Sequence, residues 1–221
     1  MKLCESFEDT ITAIATPIGA GGIGIIKISG PEAWAIGRRL FDQSDSLETI
    51  QSHHLYHGHI VDPNTGNTVD EVLVSFMRAP STYTREDVVE INCHSGFAVL
   101  DRMLDLVIRA GARLAEPGEF TRRAFLNGRI DLTQAEAVLD LIQSKTRRSL
   151  DLASEHLRGG LQAIITEVRG HLLDILAMLE AAIDFPDEDL EILAGEQLAA
   201  RFRQQIQEPI TQLLEHYEDG R

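Results

Sequence analysis

Up to about residue 120 the apolar positions come in short runs punctuated by Gly, Pro and Asn; beyond it they recur at helical spacing. Ile11–Thr16 is a β-branched run stopped by Pro17, and Ile23–Ser29 is another, stopped by Gly30-Pro31. Such runs suit a pleated, half-buried surface and predict strands. Pro31 fits a helix's first turn, so Glu32–Phe41 is expected as a helix. His57–Val61, Val69–Met77 and Asp87–Cys93 predict strands, with Asp62-Pro63-Asn64-Thr65-Gly66-Asn67 as a turn. Phe97–Ala110 carries Val99, Leu100, Met103, Leu104, Val107 and Ile108 on one helical face, and Gly111 follows as a C′ glycine. Arg113–Ala115 reads as a short strand closed by Pro117-Gly118.

The remainder reads as helix throughout. Phe120–Asn127 fits a short helix ended by Gly128. Thr133-Gln134-Ala135-Glu136 has capping-box spacing, with Thr133 as the expected cap. A stripe runs from Leu150 through Ala153, Leu157, Leu161, Ile164, Ile165, Val168, Leu172, Ile175 and Leu176 to Leu179. It predicts one long helix packed in a bundle, with Gly159-Gly160 as a kink point and Phe185-Pro186 as its end. A last helix is expected over about Leu193–His216. The pattern thus predicts an α+β N-terminal domain over residues 1–119, followed by an all-α helical domain over 120–221. A long amphipathic helix needs partners, and only one comparable helix follows, so the bundle reads as incomplete.

The 221 residues carry 20 basic and 35 acidic side chains, a formal charge of −15. This argues against bulk electrostatic grip on nucleic acid, because phosphate neutralisation needs clustered Lys and Arg. Acidic residues outnumber basic ones on both sides of residue 120, so charge does not divide the chain. Cys4 and Cys93, far apart, exclude a disulfide framework or a four-Cys zinc site and point to a reducing, cytoplasmic compartment. The N-terminus has no apolar signal region, and no run of about 18 apolar residues exists to span a membrane.

Gly19, Gly21, Gly22 and Gly24 match GxGxxG in letters, but they open a β-branched run instead of a helix, which disfavours a dinucleotide site. They read better as a backbone-rich loop that something can approach closely. No GxxxxGK[ST] occurs, so this chain has no P-loop for a nucleoside triphosphate. His53, His54, His57 and His59 lack further ligands at zinc spacing. Cys93 and His94 are adjacent, so they point to opposite faces of a strand and cannot pair directly. Cys93 reads as a small buried hydrophobe, and His94, at a strand end, as a site candidate. The acidic run Asp184–Glu191 lacks calcium-loop spacing and reads as a solvated loop. Lys27 and Glu90 are single charges in otherwise apolar strands, and Arg122, Arg123 and Arg129 flank Gly128 at the junction. A pocket built from such groups suits an amphoteric ligand with carboxylates and ring N–H donors.

Four segments carry a resemblance: Ile11–Gly30 (ITAIATPIGAGGIGIIKISG), Ser81–Gly96 (STYTREDVVEINCHSG), Pro117–Ile142 (PGEFTRRAFLNGRIDLTQAEAVLDLI) and Ala181–Glu188 (AAIDFPDE). In sequence and order they closely resemble the tRNA modification GTPases of the MnmE/TrmE family. The resemblance implies an aminomethyltransferase-like, tetrahydrofolate-binding, dimer-forming N-terminal domain and the first part of a helical domain. In the family a Ras-like GTPase domain interrupts the helices, so the chain is expected to be an N-terminal fragment. GTP, Mg²⁺ and K⁺ would belong to the absent part.

The implied ligand is 5-formyl- or 5,10-methylene-tetrahydrofolate. The implied role is C5 aminomethyl-type modification of the tRNA wobble uridine, as a homodimer with the flavoprotein MnmG (GidA). The family's folate contacts fall on Lys27, Glu90 and Arg129, with His94 beside them. Lys27 stands where Arg is usual, and Ser95 stands where a Gly is expected, which puts close backbone approach there in question. Two other readings stay open: a helical scaffold or dimerisation module docking partners without folate, and a self-sufficient one-carbon transferase, for which no catalytic acid is evident.

Overall fold

The computed structural model describes residues 8–17, 19, 21–42, 50–184 and 195–218. Two compact units divide the chain, Met1–Ile130 and Asp131–Arg221.

In the first unit alternation is the organising rule. Strands β1 (Ile11–Ile14), β2 (Gly24–Ser29), β3 (Phe41–Asp42), β4 (His54–Val61), β5 (Thr68–Met77), β6 (Val88–Cys93) and β7 (Arg113–Leu114) form one sheet in the order β3-β4-β5-β6-β2-β1-β7. Neighbours are antiparallel except β1 and β7, which run parallel. Ile26, Ile28, Val72, Val74, Phe76, Val89 and Ile91 point to one face and are almost wholly buried. Helices α1 (Ala33–Leu40) and α2 (Phe97–Arg109) contribute Ile36, Leu40, Leu100, Met103 and Val107 to the same core cluster. Each such side chain contributes roughly 1.5–3 kcal/mol. Gly24 is dictated by this packing, because a Cβ there would lie 2.6 Å from Leu100 Cδ2.

Helix α3 (Glu119–Leu126) follows Gly118 and belongs to this first unit. The expected domain boundary, between 119 and 120, falls in the first turn of α3, while the compact unit runs on to Ile130. The cause is visible in Arg123 and Glu119, both fully buried and both bonded to groups of the sheet unit.

The second unit is all helix: α4 (Leu132–Gln143), α5 (Arg147–Leu157), α6 (Gly160–Asp184), α7 (Gly195–Phe202) and α8 (Glu208–Glu218), the last two joined by a π-helical turn, Arg203–Gln207. Two expectations are corrected here. Asp131, not Thr133, caps α4: its carboxylate accepts from the Gln134 N–H, and Gln134 Oε1 accepts from the Asp131 N–H. The predicted single long helix is two, because Gly159 takes φ +82°, a left-handed conformation that ends α5. The apolar stripe continues across that break. On α6 its Ile164, Ile165, Leu172, Leu176 and Leu179 stay 37–47% exposed. The expected acidic loop after Asp184 lies outside the described residues.

Candidate functional site

The sheet face opposite α1 and α2 presents its side chains in rows set by the register. Ala13, Lys27, Glu90, Ser75 and Leu55 stand side by side across β1, β2, β6, β5 and β4. The next row on this face is Ile25, Asn92, Leu73 and His57. Lys27 and Glu90 are thus direct cross-strand partners, and Lys27 Nζ lies 3.0 Å from Glu90 Oε1. Their side chains keep 23% and 29% exposure. A carboxylate has about four acceptor positions, so this pair leaves most of Glu90's capacity available.

The segment between β5 and β6 carries Tyr83 to this row. Lys27 Nζ is 5.7 Å from the Tyr83 ring centroid and 5.8 Å from that of Phe120 on α3, both within cation–π range. The Arg129 guanidinium is 5.3 Å from the Tyr83 ring. Lys27 and Arg129 thus both face the Tyr83 ring, and Glu90 joins them through its pair with Lys27.

Several bonds hold Tyr83 there. Its hydroxyl and Thr121 Oγ1 are 3.0 Å apart, and Asn127 Nδ2 donates to the Thr84 carbonyl. Ser29 bonds both Thr84 Oγ1 and Glu86. Arg123 donates to Glu86 Oε1 at 3.1 Å, Asp9 Oδ1 at 2.7 Å and Glu119 Oε1 at 3.1 Å. Hydrogen bonds from Arg113 first, then from the Glu116 amide and Arg123, overcome burial and hold the Glu119 carboxyl down at about 2. Burial would raise Asp9, yet bonds from Arg113 and Arg123 leave it lowered. Arg122 faces Glu116 at 3.0 Å. Two of the three junction arginines are thus engaged in ion pairs with α3 and the segment before it, and only Arg129 faces the tyrosine.

His94 joins a second group. It lies just past β6, its Nδ1 2.8 Å from Asp70 Oδ1, and the Asp70 carboxylate also accepts its backbone N–H. It lines a cleft of about 330 Å³ with Gly22, Ile23, His57, Glu71, Leu73 and Asn92. Lys27 and Glu90 are not part of that lining. The His57 ring meets Glu71 at 2.6 Å, and among the described residues no set of His, Cys, Asp and Glu could hold a metal. The glycine segment is tied to this group, since Ser95 Oγ donates to the Gly21 carbonyl and lies 3.5 Å from the Gly19 carbonyl. The backbones still approach closely, for a Cβ on Gly24 would meet Ser95 Cα at 3.2 Å. Gly19 and Gly22 have open space where a Cβ would stand. Cys93 is buried, and burial, with the Asp70 charge second, pushes its thiol up to about 11, so it is no nucleophile.

Tyr83, Phe120, Arg85 and Asn127 were not singled out as site residues from the sequence. No periodicity marks them, because a loop and a helix distant in sequence bring them together.

Residues 10–129 match the family model described as GTP-binding protein TrmE N-terminus, and residues 132–221 match that of the MnmE helical domain. A protein called tRNA modification GTPase MnmE from Syntrophobacter fumaroxidans is 63% identical over 196 residues, which is 88% of this chain and 42% of that protein. Its namesakes from Acetivibrio thermocellus and Geobacter metallireducens are 50% and 51% identical over 214 residues, 97% of this chain and 46% and 47% of theirs. The chain spans less than half the length of these relatives.

Proposed function

The chain belongs to the MnmE/TrmE family, and from that premise we propose that its sheet unit binds a one-carbon tetrahydrofolate, 5-formyl- or 5,10-methylene-, on the open face around Lys27 and Glu90. The observation that carries this reading is the Lys27–Glu90 pair beside the Tyr83 and Phe120 rings. A pterin has a flat heteroaromatic ring with an N–H edge. The donor set fits it: Glu90 as acceptor, Lys27 and Arg129 as cations for ring acceptors or carboxylates, and two aromatic side chains beside them.

The same reading makes the chain part of a homodimer that, with the flavoprotein MnmG (GidA), supports C5 modification of the tRNA wobble uridine in the cytoplasm. The family model and the relatives' name support it. Among the described residues no helix is long and apolar enough to cross a membrane. With no GxxxxGK[ST] in this chain, GTP hydrolysis with Mg²⁺ and K⁺ would fall to residues outside it.

Calorimetric titration with 5-formyltetrahydrofolate tests the folate reading. A hydrogen bond to a charged acceptor contributes about 1.5–3 kcal/mol, so Glu90→Ala should weaken binding about tenfold or more. A folded wild-type chain that gives no heat, or a Glu90→Ala chain that binds as well as wild type, sinks it. The half-exposed stripe on α6 favours a second role, docking partners. Sedimentation with and without the folate separates the two, since a pure scaffold assembles without regard to ligand.

A further inference from the structure

Beside the proposed ring site lies a cleft of about 480 Å³, lined by His53, Met77, Pro80, Ser81, Thr82, Tyr83, Arg85 and Arg129. Tyr83 and Arg129 belong to both. The cleft therefore continues the ring site outward along the segment between β5 and β6.

Its charge is unusual for this protein. The chain carries a formal −15, yet the two charged side chains that line the cleft are both arginines. Among the described residues neither Arg85 nor Arg129 has a carboxylate within ion-pair distance, whereas the acids nearby are engaged: Glu86 with Arg123, Asp87 with Arg78, and Glu90 with Lys27. Arg85 is also held in place. Its Nη1 donates to the Asn127 carbonyl at 3.1 Å and would stand 3.7 Å from a Cβ on Gly128, which sets its guanidinium against the residues just before Arg129. Arg85 adopts φ +58°, a conformation that non-glycine residues seldom take. His53 adds no donor to the cleft. Its Nε2 donates to the Ser81 carbonyl at 2.8 Å, and its Nδ1 is hydrogen-bonded with Ser52 Oγ at 2.7 Å.

We propose that this cleft is a tail subsite, in which Arg85 and Arg129 receive the successive carboxylates of a γ-linked oligoglutamate carried by the folate. The proposal rests on the folate reading above and adds what that reading does not specify, a preference for long acidic tails. A folate has its carboxylates at the end opposite the pterin. A cleft that starts at Tyr83 and presents two guanidiniums without acidic partners is complementary to that polarity, since guanidinium binds carboxylate in a planar fork.

The test titrates the full chain with 5-formyltetrahydrofolate bearing one glutamate and bearing three, at low and at high salt. The readout is the ratio of the two affinities. Two exposed charge pairs predict a triglutamate preference of about fivefold at low salt, shrinking as salt rises. Arg85→Ala should bring the ratio near one, and Arg85→Lys should keep part of it. A ratio cancels any loop shift that weakens both ligands alike. Equal affinities in wild type, or a preference that survives Arg85→Ala, overturns the tail subsite while leaving the ring site standing. If the monoglutamate fails to bind wild type, the folate reading fails, and the tail subsite with it.

Discussion

Replacing Arg123 with Met should unfold the first unit far more readily, and the size of the effect follows from what Arg123 holds. Its side chain is fully buried and donates to the Asp9 carbonyl and carboxylate, to Glu86 and to Glu119. Methionine keeps much of the volume but none of the donors. Breaking a buried pair by removing one partner costs about 3–5 kcal/mol, because the Glu119 and Glu86 carboxylates are left buried without it. Trp34 is the one tryptophan in the chain and sits in the first unit, 5.4 Å from the Phe76 ring. Urea unfolding followed by its emission therefore reports on this unit and not on the helices, which matters because two units need not unfold together.

Acid provides the second axis of the same prediction. The Glu119 pKa is lowered from 4.5 to about 2, mainly by hydrogen bonds from Arg113. A depressed carboxyl stabilises the fold above its unfolded pKa and loses that contribution as pH falls through the folded one. The gap corresponds to about 3 kcal/mol. The stability difference between wild type and Glu119→Gln should thus be full above pH 4.5 and shrink by about 3 kcal/mol on going down to pH 2. An Arg123→Met chain within about 1 kcal/mol of wild type, or a Glu119→Gln difference that does not change with pH, would refute the account of α3 as an ion-paired strut.

Two further outcomes follow from close contacts. Gly24→Ala should cost about 1–3 kcal/mol by the Trp34 readout, since its Cβ would press on Leu100 and Ser95, whereas Gly22→Ala, in open space, should stay within about 0.5; equal effects would contradict the packing given for the glycine segment. In a Cys4→Ser background, the Cys93 thiol, pushed up to about 11 from 9.0, should carry about a hundredfold less thiolate at pH 8 and react with a disulfide reagent at least that much slower than in urea. Labelling rates within tenfold of each other would show the thiol to be accessible.

The strands could be read from the chain because each alternates: in β2 Ile26 and Ile28 bracket Lys27, and in β6 Val89 and Ile91 bracket Glu90. Binary pattern fixes which face is buried, and therefore that Lys27 and Glu90 share the other. Elsewhere two local patterns compete, or one persists through a break. Asp131 and Thr133 each have a polar residue at capping distance, Gln134 and Glu136, and nothing local chooses between them. The stripe from Leu150 to Leu179 keeps its period across Gly159, so periodicity alone could not show that the chain turns there. The positions of Tyr83 and Phe120 depend on contacts between a loop and a helix far apart in sequence, which no window of the chain contains.

Charged side chains do two different jobs in this unit, and burial separates them. Arg123 and Glu119 lie out of water, each with several partners, and their neighbours' geometry depends on them. Lys27 and Glu90 make a single pair on a face that keeps about a quarter of each side chain in solvent. Such a pair contributes at most about 1 kcal/mol, so the sheet would lose little if both were threonine. A β-branched residue would suit that open face as well. The fold therefore gives no reason for a Lys and a Glu to face each other there. The folate proposed above would give one: the pair fixes Glu90 on its strand while most of its acceptor sites stay free. The buried network does the complementary work, since Arg123 anchors Glu86, three residues from Tyr83. The buried ion pairs of the unit thus hold the segment around Tyr83 in place, and on the folate reading the exposed pair is the one that would meet the ligand.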